Sequence, residues 1–169
     1  MARREVRILG DPVLRTKAKP VAAVTDELRQ LIDDMFETMY AEEGVGLAAP
    51  QVGVLERVIV VDPHMDDYEP FALINPEIIE ASKETEKSEE GCLSIPGLRD
   101  LVERSVAIKV RGMTPEGKVR EFEAEDLVAR ILQHEVDHVD GILFLDRLSP
   151  LKRKLALAKW QKIKPDTAK

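Results

Sequence analysis

The sequence predicts an α+β domain: antiparallel strands packed around a helix carrying His134-Glu135-Val136-Asp137-His138, with helices before it and one helix after. Three observations lead there. Helical periodicity brackets the chain, over Leu28 to Met39 and again from Leu127 to Val139 and from Ser149 onward. Between these segments lie short apolar runs and one alternating stretch bounded by turn residues, the pattern of strands. Helices and strands do not alternate in βαβ fashion, so an antiparallel arrangement is expected.

Each element has its own justification. Asp11 before Pro12 places a capping side chain ahead of a proline suited to a first helical position, so a short helix is expected over Val13 to Ala18. Thr25 caps a longer helix with Asp26 and Glu27 in its first turn and Leu28, Leu31, Ile32, Met35 and Met39 on one face, ending near Gly44. Arg57 to Val61 and Phe71 to Asn75 are short buried strands. Val106, Ile108 and Val110 share one face of a strand over Ser105 to Arg111, and Thr114-Pro115-Glu116-Gly117 turns it into a partner over Lys118 to Ala124. Helical spacing returns over Leu127 to Val139 and closes at Gly141. Ser149-Pro150 starts a basic amphipathic helix carrying Leu151, Leu155, Ala158 and Ile163, and the last six residues, from Lys164, have the composition of a frayed end.

With 169 residues, 44% of them apolar, the chain is sized for one domain (residues 1–169) with a sizeable core. A single cysteine, Cys92, excludes an internal disulfide framework and fits a reducing compartment. No apolar run suggests a membrane span, and the arginine-bearing N-terminus lacks the apolar core of a secretory signal. The net charge of −7 argues against general nucleic-acid binding, DNA included, but conceals an asymmetry. Residues 147–169 hold eight Lys or Arg and one Asp, so a basic tail follows an acidic body and can have a partner of its own.

The sharpest motif is the histidine pair. At about 100° per residue, His134 and His138 lie one above the other on a helix face, where two imidazoles can chelate one metal with Glu135 beside it. Ion pairing of the histidines with Glu135, Asp137 or Asp140 is the alternative. The helical wheel weighs against it: Leu127, Val128, Ile131, Leu132 and Val139 mark the buried stripe, and Glu135 falls near its centre. A carboxylate there is costly unless a charge compensates it.

Such a site needs a third ligand and an open position. Downstream of His138 the chain offers Phe144 where one metalloprotease pattern has a histidine, and no glutamate at all. The ligand is therefore sought upstream, with Cys92 the foremost candidate. Free cysteines are usually small buried apolar groups, but this one sits in Glu89-Glu90-Gly91-Cys92-Leu93-Ser94-Ile95-Pro96-Gly97. Gly91 allows close backbone approach and Pro96-Gly97 suggests a turn. A third stretch, Gly44-Val45-Gly46-Leu47-Ala48-Ala49-Pro50-Gln51, is either a plain loop after a helix or a tight wall whose Gln51 amide can donate to a developing oxyanion. His64, among Asp62, Asp66 and Asp67, is expected to be an exposed loop histidine rather than a ligand.

Taken in order, residues 44–51 (GVGLAAPQ), 90–94 (EGCLS) and 133–138 (QHEVDH) with Gly141 resemble the three motifs of the peptide deformylases, and the likeness spans nearly the whole chain. The resemblance implies a cytoplasmic hydrolase that removes the formyl group from the N-terminal methionine of new proteins. It implies that Cys92, His134 and His138 bind one divalent metal, natively Fe2+, for which Zn2+, Ni2+ or Co2+ can substitute. Glu135 would accept the proton of the attacking water and pass it to the departing amine. The Gln51 amide and the Leu93 N–H would stabilise the oxyanion. The backbone at Val45, Gly46 and Gly91 would pair with the N-formylmethionyl peptide as an added strand, Arg99 would border the entrance, and Leu127 and Ile131 would line the methionine pocket. Arg104 either pairs with Glu90 and holds the cysteine loop or is solvated.

One position departs from the family pattern. Arg130 stands where an apolar pocket residue is usual, so it is expected across the pocket mouth, or with its stem in the pocket and its head in solvent, making the side-chain preference wider or more polar than methionine alone. Two other readings make different predictions. An endopeptidase or another metal-dependent amidase would want a downstream ligand, which the sequence lacks. An RNA-docking module with a structural metal would want a fourth protein ligand. The basic last helix, with Lys152, Arg153, Lys154, Lys159 and Lys162, can dock on a ribosome alongside catalysis or be merely a solvated face.

Overall fold

The computed structural model describes residues 2–165. Its elements run α1 (Asp26–Ala41), β1 (Gly46–Ala48), β2 (Val58–Val61), β3 (Phe71–Ala81), β4 (Thr85–Cys92), β5 (Ile95–Ser105), β6 (Ala107–Met113), β7 (Val119–Glu125), α2 (Asp126–Val139) and α3 (Pro150–Ile163), with short 3-10 turns at Pro12–Arg15, Ala49–Val52 and Phe144–Arg147. The expected α+β class is what the chain adopts. Five antiparallel strands form one sheet in the order β1-β2-β3-β6-β7, and β4 and β5 form a separate hairpin.

Alternation along the strands explains the layering. In β2, Val58 and Val60 face α1 with Leu28, Leu31 and Met35, whereas Ile59 and Val61 face α2 with Val128, Leu132 and Val136. A strand buried on both faces reads as a continuous apolar run, as Arg57 to Val61 does. A third cluster, with Leu98, Val102, Phe144, Ala156 and Trp160, joins the hairpin to α3. Helix α2 is therefore covered by the sheet on one side and by the β4–β5 hairpin on another, which is how its His134, Glu135 and His138 come to be buried.

The caps follow the sequence. Thr25 Oγ1 accepts from Leu28 N at 3.1 Å, and Ser149 Oγ from Lys152 N at 3.3 Å. Gly141 closes α2 with a φ of +76°, where an added Cβ would lie 2.8 Å from the Arg15 carbonyl oxygen.

Several expectations are corrected. The first helix is a single 3-10 turn at Pro12–Arg15. Strand β3 does not stop at Asn75 but continues to Ala81, because its register shifts between Ile74 and Glu77 and so accommodates Pro76. The strand expected over 105–111 runs from Ala107 to Met113, Ser105 being the end of β5. The cysteine segment is no loop turning at Pro96-Gly97: the hairpin turns at Leu93-Ser94, and Pro96 lies within β5. In α3 the face is reversed: Ala156 and Trp160 are buried, while Leu151 and Leu155 are 67% and 61% exposed. Of the end expected to fray, only Lys164 and Pro165 lie within the described residues.

Candidate metal centre

One helix and one hairpin end bring the donors together. His134 and His138, one turn apart on α2, place their Nε2 atoms 3.1 Å from each other. Cys92, the last residue of β4, places Sγ 3.3 Å from His138 Nε2. The three donor atoms lie within 4.8 Å of one another, the one such group of His, Cys and acidic side chains among the described residues. Bonds of about 2.0–2.3 Å around a tetrahedral ion separate neighbouring donors by roughly 3.3–3.6 Å, so the constellation fits a single divalent cation.

The surroundings orient these donors. His134 Nδ1 donates to Glu90 Oε1 at 2.9 Å, which fixes the tautomer and leaves Nε2 as a lone pair facing Cys92 and His138. Glu90 is held in turn by Arg104, whose Nε and Nη2 donate to its two oxygens at 2.9 and 3.0 Å. Arg104 Nη1 also donates to Asp137 Oδ2 at 2.6 Å, and Asp137 accepts again from Arg147. Burial alone would raise the Glu90 carboxyl, but hydrogen bonds from His134 and Arg104 outweigh it and hold the group far below the usual carboxylate range. For His134 burial lowers the imidazole, yet hydrogen bonds with Cys92 and Glu90 and the Glu135 charge raise it well above its usual value. His138 is shifted well down by burial and by the His134 and Arg104 charges.

Glu135 is 4% exposed, and its Oε1 has no hydrogen-bond partner among the described residues. Burial is the main cause that raises its carboxyl to about 7, where it can both take and return a proton near neutrality. Its other wall is Gly46: a Cβ there would lie 2.6 Å from Glu135 Oε2. Gln51 Oε1 accepts from Ala48 N at 2.9 Å, which turns Nε2 toward Ser94 Oγ at 3.1 Å and Cys92 Sγ at 3.6 Å.

Known proteins carry the same architecture. The family model for polypeptide deformylase matches residues 3–154. The chain is 50% identical over 154 residues to the peptide deformylase of Natranaerobius thermophilus, covering 91% of this chain and 97% of that one. The chain belongs to the polypeptide deformylase family. A second deformylase, from Hydrogenovibrio crunogenus, is 53% identical, covering 96% of this chain and 95% of that one. The crystal structure of the Legionella pneumophila peptide deformylase superposes with a TM-score of 0.90 at 47% identity, covering 96% of each chain. The chain is thus an enzyme, a hydrolase that removes the N-formyl group from nascent peptides, with a donor group able to hold a metal ion. Among the described residues no helix is long and apolar enough to cross a membrane.

The remaining candidates spread around this deformylase centre. Gly46 lies in β1, the edge strand of the sheet, preceded by Val45, which is 39% exposed. Gly91 pairs with Arg99 across the hairpin, and Arg99, exposed, donates to Glu89 Oε1 at 2.5 Å. Leu93 forms the hairpin turn. Ile131 is buried against the sheet, whereas Leu127, read as part of the buried stripe, is 45% exposed and lies outside the core cluster that takes in its neighbours Val128 and Ala129. His64 is exposed, as expected.

Arg130 is corrected. Its head does not stand free at a pocket mouth or in solvent but turns onto the hairpin, donating to Glu90 Oε2 at 2.6 Å, to the Val102 carbonyl at 2.9 Å and to the Glu86 carbonyl at 2.7 Å. The wider side-chain preference loses its basis, since a buried carboxylate and two carbonyls on the hairpin occupy the guanidinium. The alternative pairing of the histidines also fails: Asp137 faces Arg104 and Arg147, and Asp140 faces Arg57. Sequence reasoning missed that Glu90 grips His134 and that Ser94 steadies Gln51. A glutamate directly beside the glycine-cysteine pair was the available signal for the first.

Proposed function

We propose that Cys92, His134 and His138 hold one divalent ion, Fe2+ by likeness to the family, and that Glu135 is the general acid–base of deformylation. The observation that supports this most strongly is the convergence of a sulfur and two ring nitrogens beside a buried carboxyl shifted to about 7. Thiolate and imidazole donors accept Zn2+, Ni2+ or Co2+ as well, so the donor set does not select iron. When bound, such an ion supplies Lewis-acid charge that makes a water nucleophilic near neutral pH. Glu135 takes the proton of that water as it attacks the formyl carbon, then delivers it to the amine as formate departs. The Gln51 Nε2–H, fixed by Ala48 and Ser94, and the Leu93 N–H donate to the oxygen on which negative charge develops.

The peptide's main chain adds to the free edge of β1 at Val45 and Gly46 and runs beside Gly91 of β4, with Arg99 at the entrance. The methionine side chain rests on the α2 face that carries Leu127, above the buried Ile131. Arg130 acts at a distance, by tying the hairpin, Glu90 included, to α2. Reaction takes place in the cytoplasm, within one catalytic domain spanning residues 1–169. The exposed face of α3, where Leu151 and Leu155 stand among Lys154, Lys159 and Lys162, docks on the ribosome; co-sedimentation that weakens steeply with salt tests this.

The deciding experiment measures formate release from formyl-Met peptides by anaerobically purified protein, with metal content determined alongside. Cys92→Ala is expected to lose the ion, and Glu135→Gln to keep it while kcat falls by about 10²-fold or more. Full metal occupancy in Cys92→Ala, or unimpaired turnover in Glu135→Gln, would refute the assignment.

A further inference from the structure

The substrate edge is tied from behind by three residues outside the three motifs. Asp62, 8% exposed, donates its backbone N–H to the Val45 carbonyl at 2.8 Å. Its carboxylate accepts from Tyr40 Oη at 2.7 Å and from the His64 backbone N–H at 2.8 Å. The second bond holds His64 at a φ of +56°, a left-handed conformation that disfavours side chains. In that conformation the His64 imidazole reaches back, and its Nε2 lies 3.1 Å from the Gly44 carbonyl oxygen. A carbonyl only accepts, so the ring is the donor. Gly44 and Val45, consecutive residues leading into β1, therefore have both carbonyls held by the Asp62–His64 turn.

This matters because the segment has two other neighbours. An added Cβ at Gly44 would lie 2.8 Å from Leu93 Cδ1, and one at Gly46 would lie 2.6 Å from Glu135 Oε2. A shift of the segment would move it against the hairpin turn and the buried carboxyl. Strained residues persist where their surroundings over-determine them, and they gather at functional sites. We infer that His64 is a positioning residue for the peptide: through Gly44 it sets the line of the β1 edge onto which the substrate's main chain adds. This rests on the reading of that edge given above. His64 touches no reacting atom, so it governs how well an extended peptide is held rather than the chemical step.

The test compares a minimal substrate, formyl-methionine amide, with a formyl-Met tripeptide, using metal-loaded wild type, His64→Gly and His64→Gln. Glycine adopts the left-handed conformation freely, so His64→Gly removes the donor without straining the fold. Glutamine places an amide N–H near the position of Nε2. One net hydrogen bond corresponds to about a threefold to tenfold change. His64→Gly is expected to raise KM for the tripeptide by about that factor, with kcat and the KM of the minimal substrate within about twofold of wild type, and His64→Gln to recover most of the loss. An unchanged tripeptide KM in His64→Gly, or a fall in kcat alone, would overturn the role of His64. If the wild-type KM does not improve from amide to tripeptide, the β1 edge itself is not the peptide site and the proposal goes with it.

Discussion

Replacing Arg104 by methionine tests the framework beneath the candidate metal centre. The arginine is 6% exposed and makes three charge-assisted hydrogen bonds, two to Glu90 and one to Asp137. Methionine fills similar volume but leaves two buried carboxylates short of a partner. Removing one member of a buried ion pair costs about 3–5 kcal/mol. Here the loss falls near the lower end, about 3 kcal/mol, because Glu90 keeps Arg130 and His134, and Asp137 keeps Arg147. For a chain of this size that lowers Tm by about 6–12 °C. Activity is expected to fall as well, by about tenfold to a hundredfold, because a loosened Glu90 no longer fixes the His134 ring. Arg104→Lys keeps the charge but not the two-pronged geometry, and should sit between the two. Thermal melts at fixed metal loading, read with formate release, give both quantities. A Tm within about 2 °C of wild type would show that Arg104 does not hold the two carboxylates, and the reasoning would fail.

Gly46→Ala drives a methyl into the Glu135 carboxyl, and if Glu135 is the acid–base proposed above, displacement on the order of 1 Å costs about 10²-fold in kcat, measurable with formyl-Met peptides. Asp34 shows a pH-dependent contribution: burial would raise its carboxyl, but hydrogen bonds from Ala2 N, Gln30 and Arg4 hold it below its usual value. The stability it contributes is therefore present above the unfolded value of about 3.9 and lost as pH falls through the lower folded value, so Asp34→Asn should destabilise at pH 7 and converge on wild type in acid urea titrations. In α3, Trp160→Ala should cost about 3–5 kcal/mol while Leu155→Ser changes stability by about 0.5 kcal/mol or less, a contrast that urea melts resolve.

What could be read from the chain was local. The histidine pair, the Thr25 cap, the doubly buried run at Arg57 to Val61 and the glycine after α2 all signal within a few residues of themselves. Cys92 could be singled out because the residues after His138 offered no third ligand. Strand β4 was illegible for a physical reason: its one buried side chain is Glu90, so it has no apolar period to detect. Of the partners of that carboxylate, Arg104, 14 residues away, was one of two alternatives in the sequence, whereas Arg130 and His134 are 40 and 44 residues away and no spacing rule joins them to it. Arg130 was misjudged for the same cause, since its position on the helix wheel said nothing of the hairpin that covers it. In α3, leucine spacing suggested one face while the bulk of Trp160 determined the other.

The strand that fronts the centre has only three residues, Gly46 to Ala48. At about 3.3 Å per residue its margin is roughly 10 Å long and is closed at Ala48 by Gln51, which leaves room for only a short stretch of guest backbone. A longer bare margin would invite sheet-to-sheet adhesion between copies of the enzyme, the ordinary hazard of exposed strands. Brevity thus keeps a permanently uncovered border from becoming a seed for aggregates in a protein whose work brings it beside unfinished chains.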